Sequence, residues 1–336
     1  MPDDSDNALT GTITLPALSA LLSQIVTSTE VPVPKPVAQD FSGGQGRWDF
    51  GWLLVLVPAG CSQTSSLASL RHTLHPRQLA RIELRLGTYL RALHGITNDW
   101  FGQPADPSKL TRPASALPTF LFSTENDGMT EEDWSRYSWQ DTFVLMLEEL
   151  LAELTGEVGN MALFDLREEL GIDVKELRRY LSRAIGAFLF DDVEMPGMIW
   201  VTGNDADIFV SLPTSGNTNA DGEAEADIAY LLPTFSHTLW GDPLMEAWFI
   251  PPGPSQAINE GYFGSEEGTL IVFPRQKTKR LWYTVYLALL VLAEERRGHQ
   301  TRQEGTSGKG EHRSKVGWAR DILPKCVRGL KDAPCY

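Results

Sequence analysis

Two stretches in the second half of the chain carry side chains able to hold and polarise a reacting molecule. The first, Trp200-Val201-Thr202-Gly203-Asn204-Asp205-Ala206-Asp207, runs into the apolar IFV (208–210) and combines an indole, a hydroxyl and two carboxylates. The second, Pro233-Thr234-Phe235-Ser236-His237-Thr238-Leu239-Trp240-Gly241-Asp242-Pro243, adds a hydroxyl, an imidazole and another indole. A threonine hydroxyl has no useful basicity near neutral pH, so Thr202 and Thr234 can donate hydrogen bonds but cannot serve as general bases. His237 is a third donor, and Trp200 and Trp240 can shape an aromatic cavity. Asp207 alone would hold a cation weakly, with Asp205 a nearby second carboxylate.

Other polar residues have plainer readings. His94, within LRALHGI, sits on a helix and reads as core. Asp191, Asp192 and Glu194 in FDDVEMP read as a solvated turn, and the basic run PRQKTKR (274–280) as a solvated helix start. Asp242 in the Gly-Asp-Pro turn is placed to cap the next helix.

The elements that must position these residues can be read from periodicity and punctuation. PALSALLSQIVTST (16–29) has helical spacing with Pro near its first turn, and VPVPKP (31–36) is a proline-stiffened connector. WLLVLVP (52–58) has the consecutive apolar residues of a buried strand. Helices are expected over 76–94, 138–156, 174–190 and 281–297, with further helical signal near Asp242. MIWVTGNDADIFVSL (198–212) reads as two short strands around a turn, and IAYLLPTF (228–235) as another strand. Residues 103–135 are rich in Pro, Ser, Thr and Asp and read as a long loop, a natural lid. Residues 298–317 are Gly-rich, charged and expected to be mobile.

Composition removes some classes of function. The chain has 336 residues with 29 Lys+Arg against 44 Asp+Glu, a formal charge of 29 − 44 = −15, which disfavours nucleic acid and anionic membranes as partners. Cys61, Cys326 and Cys335 form neither a disulfide framework nor a zinc motif. The acidic start MPDDSDNALT is unlike a signal peptide, and the longest apolar stretch, from Leu281, is too short for a bilayer. A cytoplasmic protein is expected, with oligomeric state left open.

Four stretches, in this order, resemble the fungal branch of the aminoglycoside phosphotransferase-like (small-molecule kinase) family. The helix leading to VPVPKP resembles its helix-to-hinge connector, and WLLVLVPAG (52–60) its hinge strand. LGTYLRALHGI (86–96) resembles the first long helix of the C-terminal lobe, and FSHTLWGDPLMEAWF (235–249) the segment after the metal-binding aspartate. The resemblance covers about residues 15–297 and implies an α+β, kinase-like fold with a truncated N-lobe and a mainly helical C-lobe. The implied organisation is a disordered tail (1–14), a remnant of N-lobe and hinge (15–60), a helical C-lobe with a small β-hairpin region (61–297) and a mobile basic C-terminal segment (298–336).

The resemblance also shows what has changed. Trp200 stands at the family's catalytic-loop histidine, Thr202 at its base, Asp207 at its metal-binding asparagine and Thr234 at its metal-binding aspartate. Residues 1–34 contain no Lys or Arg and a single glycine, Gly11, so no phosphate cradle is expected there. Phosphoryl transfer needs all of these parts, so the expectation is a repurposed scaffold of fungal secondary metabolism that uses neither metal nor cofactor. It would bind an apolar small molecule and promote its cyclisation, such as an intramolecular pericyclic [4+2] (Diels–Alder) closure. Thr202, Thr234 and His237 would be donors, and Trp200, Trp240, Asp205 and Asp207 would contact the substrate. Two alternatives are a catalytically dead pseudokinase acting as a scaffold, and an atypical phosphotransferase using Asp205 and Asp207.

Overall fold

Helices predominate in the computed structural model, and short antiparallel strands are set between them. It describes residues 13–41, 50–58, 64–104, 138–156, 164–212, 226–232, 237–264, 274–301 and 309–335. Helix α1 (Leu15–Ser28) leads through an extended connector into β1 (Lys35–Asp40), which pairs antiparallel with β2 (Trp52–Leu56). After β3 (Thr64–Ser66) and the short α2 (Leu67–Leu70) comes the long α3 (Pro76–His94). Helices α4 (Trp139–Thr155), α5 (Leu166–Leu170) and α6 (Val174–Gly186) come next. Strands β4 (Gly197–Trp200), β5 (Ile208–Ser211), β6 (Asp227–Leu231) and β7 (Thr238–Gly241) precede α7 (Gln256–Phe263), α8 (Pro274–Thr301) and α9 (Lys309–Asp332). The fold is α+β.

Local chemistry sets most boundaries. Ser138 and Asp141 cap α4 reciprocally, and Gly156 ends it at φ 74°, a left-handed conformation that glycine adopts without a Cβ penalty. His75 and Gln78 form the same box at α3, where Pro76 supplies a first-turn residue needing no N–H partner. Asp242 does cap, accepting from Leu244 N at 2.9 Å, but it opens a pair of 3-10 turns, Pro243–Met245 and Ala247–Phe249, and not an α-helix.

The two strands expected around the 203–207 turn belong to different sheets. β4 pairs with β7, whereas β5 lies between β3 and β6. The β4–β7 pair divides two cores, because side chains alternate across a strand. Met198, Trp200 and Trp240 point into a core built with α1, α3, β5 and β6. Ile199, Val201 and Leu239 point into the other, built with α4, α6, α8 and α9.

Three sequence expectations are corrected. β2 is not a buried strand: it alternates, with Leu53 and Val55 against the core and Leu54 and Leu56 exposed at 55% and 61%. The C-terminal segment is not a mobile tail over its length. Lys309–Asp332 is a helix whose Val316, Ala319, Leu323, Cys326 and Leu330 enter the core. Arg183 clamps its end by donating to the carbonyls of Leu330 and Lys331. Arg296 and Arg320 flank the Phe164 ring while both pair with Glu169. The apolar spacing in VGWARDILPKCVRGL was masked to a sequence reading by the charge density around it. Lastly, the basic run 274–280 is not wholly solvated. Lys279 is buried, with Nζ 2.6 Å from Asp242 and 2.7 Å from Asp192, so the FDDVEMP turn is tied to α8 rather than free in water.

Among the described residues no helix is long and apolar enough to cross a membrane. Cys326 and Cys335 are free and buried.

Candidate functional site

One end of the β4–β7 ladder gathers the chemistry. Trp200 pairs with Thr238, and the ladder continues one step as Val201 N donates to His237 O at 3.1 Å. Half-buried Thr202 and buried His237 therefore leave the same end of adjacent strands. The chain then turns at Gly203, where a Cβ would lie 2.3 Å from the Trp248 ring and 2.8 Å from Trp200. Only glycine passes beneath this edge-on pair of indoles, whose centroids are 5.2 Å apart.

Behind the ladder, buried Glu246 fixes the strand end. Its Oε2 accepts from Trp200 N at 2.8 Å and lies 3.2 Å from His94 Nε2, while His94 Nδ1 is 2.8 Å from the Tyr262 hydroxyl. Burial, with Glu246 close by, pushes the Tyr262 hydroxyl well up. His94 is thus a core residue, as its helical setting suggests, and it joins α3, β4 and α7 through one carboxylate.

In front, His237 Nε2 meets Glu294 Oε1 of α8 at 2.5 Å. Burial alone would raise the Glu294 carboxyl. The His237 hydrogen bond and charge, with Arg297 and Lys315 behind, hold it below the usual carboxylate range. The neighbouring seam between α4 and α8 is densely charged. Arg297 binds both oxygens of Glu153 at 2.6 and 2.7 Å. Burial and the Glu153 charge push Glu149 up to about 8. Tyr286 is raised by burial and by Glu149. An anionic carboxylate holding one imidazole nitrogen orients the ring and sets its tautomer, leaving Nδ1 as the reactive position. On the α4–α8 seam the Glu149 carboxyl, raised to about 8, keeps its proton at neutral pH.

The residues singled out by sequence do not form one group. Thr202 and His237 leave the same end of the β4–β7 ladder; Thr234 lies outside the described residues, as do 105–137, most of the stretch read as a lid. Trp200 and Trp240 are almost fully buried in the α1/α3 core, where they pack instead of lining an open cavity. Asp205 binds Arg71 at 2.5 and 3.3 Å, and Arg71 also reaches Glu83 at 3.2 Å. The Asp205 hydrogen bond raises the Arg71 guanidinium further above its usual range, despite opposing burial. Buried Asp207 accepts from Asn204 N at 3.1 Å and Asn204 Nδ2 at 2.8 Å, closing the 203–207 turn. Both carboxylates are therefore engaged by the local fold. Among the described residues no three His, Cys, Asp or Glu side chains converge as a metal site.

Sequence reasoning missed Glu294, Arg297, Glu149 and Tyr286. A signal was present: LVLAEERR places two carboxylates directly after a long apolar run, and SWQDTFVLMLEELLAELTG sets Glu149 and Glu153 one helical turn apart.

No protein-family model matches the chain, and no curated protein matches its sequence. Solved structures with a similar course of the chain include an ADP-bound aminoglycoside phosphotransferase APH(2'')-Ib, with 10% identity, TM-score 0.44, 93% of this chain and 84% of that one covered. An ethanolamine kinase of Plasmodium vivax is 10% identical with TM-score 0.49, over 94% of this chain and 71% of its own. A choline/ethanolamine kinase family protein from Mesorhizobium loti is 14% identical with TM-score 0.46, over 95% and 79%. At these identities and scores the likeness says nothing of activity or substrate.

Proposed function

We propose that this chain is a kinase-like scaffold of fungal secondary metabolism that does not transfer phosphoryl groups. It binds an apolar small molecule at the end of the β4–β7 ladder and promotes its cyclisation. The observation that carries this reading is the His237–Glu294 pair at 2.5 Å at the end of the β4–β7 ladder, where the adjoining chain continues into Thr202, the residue at which the family resemblance would require a carboxylate base. Phosphoryl transfer from a nucleotide needs a base and metal ligands. Here the base position is Thr202, and Asp205 and Asp207 serve Arg71 and Asn204.

Cyclisation of a polyene by [4+2] closure makes two carbon–carbon σ bonds from two π bonds and loses no atom, so it requires no cofactor. Its barrier falls when the substrate is held as a folded near-attack conformer and when a donor polarises the activating carbonyl. Thr202 Oγ1 is one such donor. His237, with Nε2 turned to Glu294, offers Nδ1 as a donor when protonated and as a base when neutral.

The test is thermal-shift screening of the full chain against Mg-ATP and a panel of apolar polyenes, with product analysis of any that bind. Stabilisation by a polyene and turnover that falls at least about tenfold in Thr202→Val or His237→Gln is expected. Stabilisation by Mg-ATP, or turnover unchanged in both variants, overturns the reading.

A scaffold reading is favoured by a different observation. Val37, Phe50, Leu54 and Leu56 around the β1–β2 pair are each more than half exposed, an apolar surface of the kind that marks protein contacts. Polyene binding without turnover would move the assignment to this second reading.

A further inference from the structure

The β1–β2 pair is a sheet of two strands, so among the described residues each strand has an outer edge with no strand against it. A free edge presents a row of backbone N–H and C=O groups that can template another strand, and proteins blunt such edges with proline, bulges and charge. β1 carries all three devices. Pro36 has no N–H to donate, Val37 is an extra residue where the register slips between Pro36 and Ala38, and Lys35 and Asp40 put a charge at each end. β2 carries none of them. Its sequence, Trp52-Leu53-Leu54-Val55-Leu56, has no proline, no glycine and no charge. Among the described residues it makes no main-chain hydrogen bond outside its ladder with β1. Leu53 and Val55 face the core, while Leu54 and Leu56 on the other face are more than half exposed.

We propose that the outer edge of β2 pairs with β2 of a second copy of this chain, antiparallel about a twofold axis at Leu54, to make one four-stranded sheet. The strand is complementary to itself in this register. Leu54 meets Leu54 of the other copy, Leu56 meets Trp52 and Leu53 meets Val55, so every cross-strand pair is apolar and both exposed leucines gain an apolar neighbour. Electrostatics selects the same surface. Each copy carries a formal charge of −15 and repels the other, yet residues 50–58, FGWLLVLVP, carry no charge at all. The assembly also closes. Pairing β2 with β2 leaves the blunted β1 at both outer edges of the new sheet, so growth stops at two copies. This gives the exposed apolar surface around β1 and β2 a definite occupant, and it holds whether or not the chain promotes cyclisation.

The experiment is sedimentation equilibrium of the full chain, monomer mass 37.3 kDa, over about 1–100 μM. The wild type should reach twice that mass, and the dimer should tighten as added NaCl screens the repulsion between copies. Leu54→Lys and Leu54→Glu each set two like charges against one another at the axis and should weaken the dimer at least about a hundredfold. Leu54 is already exposed, so both variants should keep the wild-type circular dichroism spectrum. Mixed in equal amounts, the two variants bring opposite charges to the axis and should recover a dimer holding one copy of each. A monomeric wild type, growth beyond two copies, or a dimer that loosens in salt overturns the proposal. So does a dimer that Leu54→Lys leaves intact, or a pair of variants that stay apart on mixing.

Discussion

At the α4–α8 seam two carboxylates one helical turn apart meet opposite fates. Glu153 is bound through both oxygens to Arg297, while Glu149 carries the burial without a cation and is raised to about 8. That shift fixes the sign of its effect on stability. The folded state binds a proton that the unfolded state releases near 4.5, so Glu149 weakens the fold progressively as pH rises from about 4.5 to 8. Glu149→Gln should therefore leave Tm unchanged at pH 4 and raise it by pH 8; parallel Tm–pH profiles of the two proteins would remove this assignment. Glu294 behaves oppositely. Its carboxyl lies below the usual range, so its contribution is present above the unfolded carboxylate range and lost as pH falls through the folded value.

At the scale of elements, the closest approach is that of α3 and α7. A Cβ on Gly87 would lie 2.1 Å from Ile258 O, and one on Gly261 would lie 1.9 Å from Leu84 O. Each glycine sits against the backbone of the opposite helix, which cannot yield as a side-chain tip can. This crossing sets the distance at which Tyr262 of α7 reaches His94 of α3, and through Glu246 it reaches the end of β4. Gly87→Ala should cost about 3 kcal/mol or more by denaturant unfolding, against the small stabilisation that Ala supplies in an ordinary helix interior. A neutral result would mean the helices part without consequence.

For the whole molecule, the two cores share the β4–β7 ladder as a common wall. Leu21, Leu22, Ile25, Val31 and Val33 pack with Leu86, Leu90 and Met198, so residues 15–60 share their core with elements from later in the chain. Leu239 and Trp240 are neighbours in β7 that serve opposite cores. Leu239→Ala and Trp240→Ala should each lower a single transition, seen together by circular dichroism and tryptophan fluorescence, at a cost of about 2–5 kcal/mol. Separate transitions in either variant would make the cores independent.

The sequence by itself determined the main helices α1, α3, α4 and α6 and most of their ends, because caps and periodicity are local. The Ser138–Asp141 box, Pro76 and the apolar face of α3 are complete within a few residues of chain. Tertiary structure alone decided the partners: that β4 takes β7 and not β5, and that Asp205 faces Arg71 from 134 residues away. It likewise decided that Trp200 fills a core, that Lys279 lies buried between two aspartates, and that His237 finds Glu294. The reason is physical. A helix cap is fixed by bonds within one turn. Burial of a charge and the pairing of distant strands are fixed only when the chain closes on itself and water is removed from between its segments.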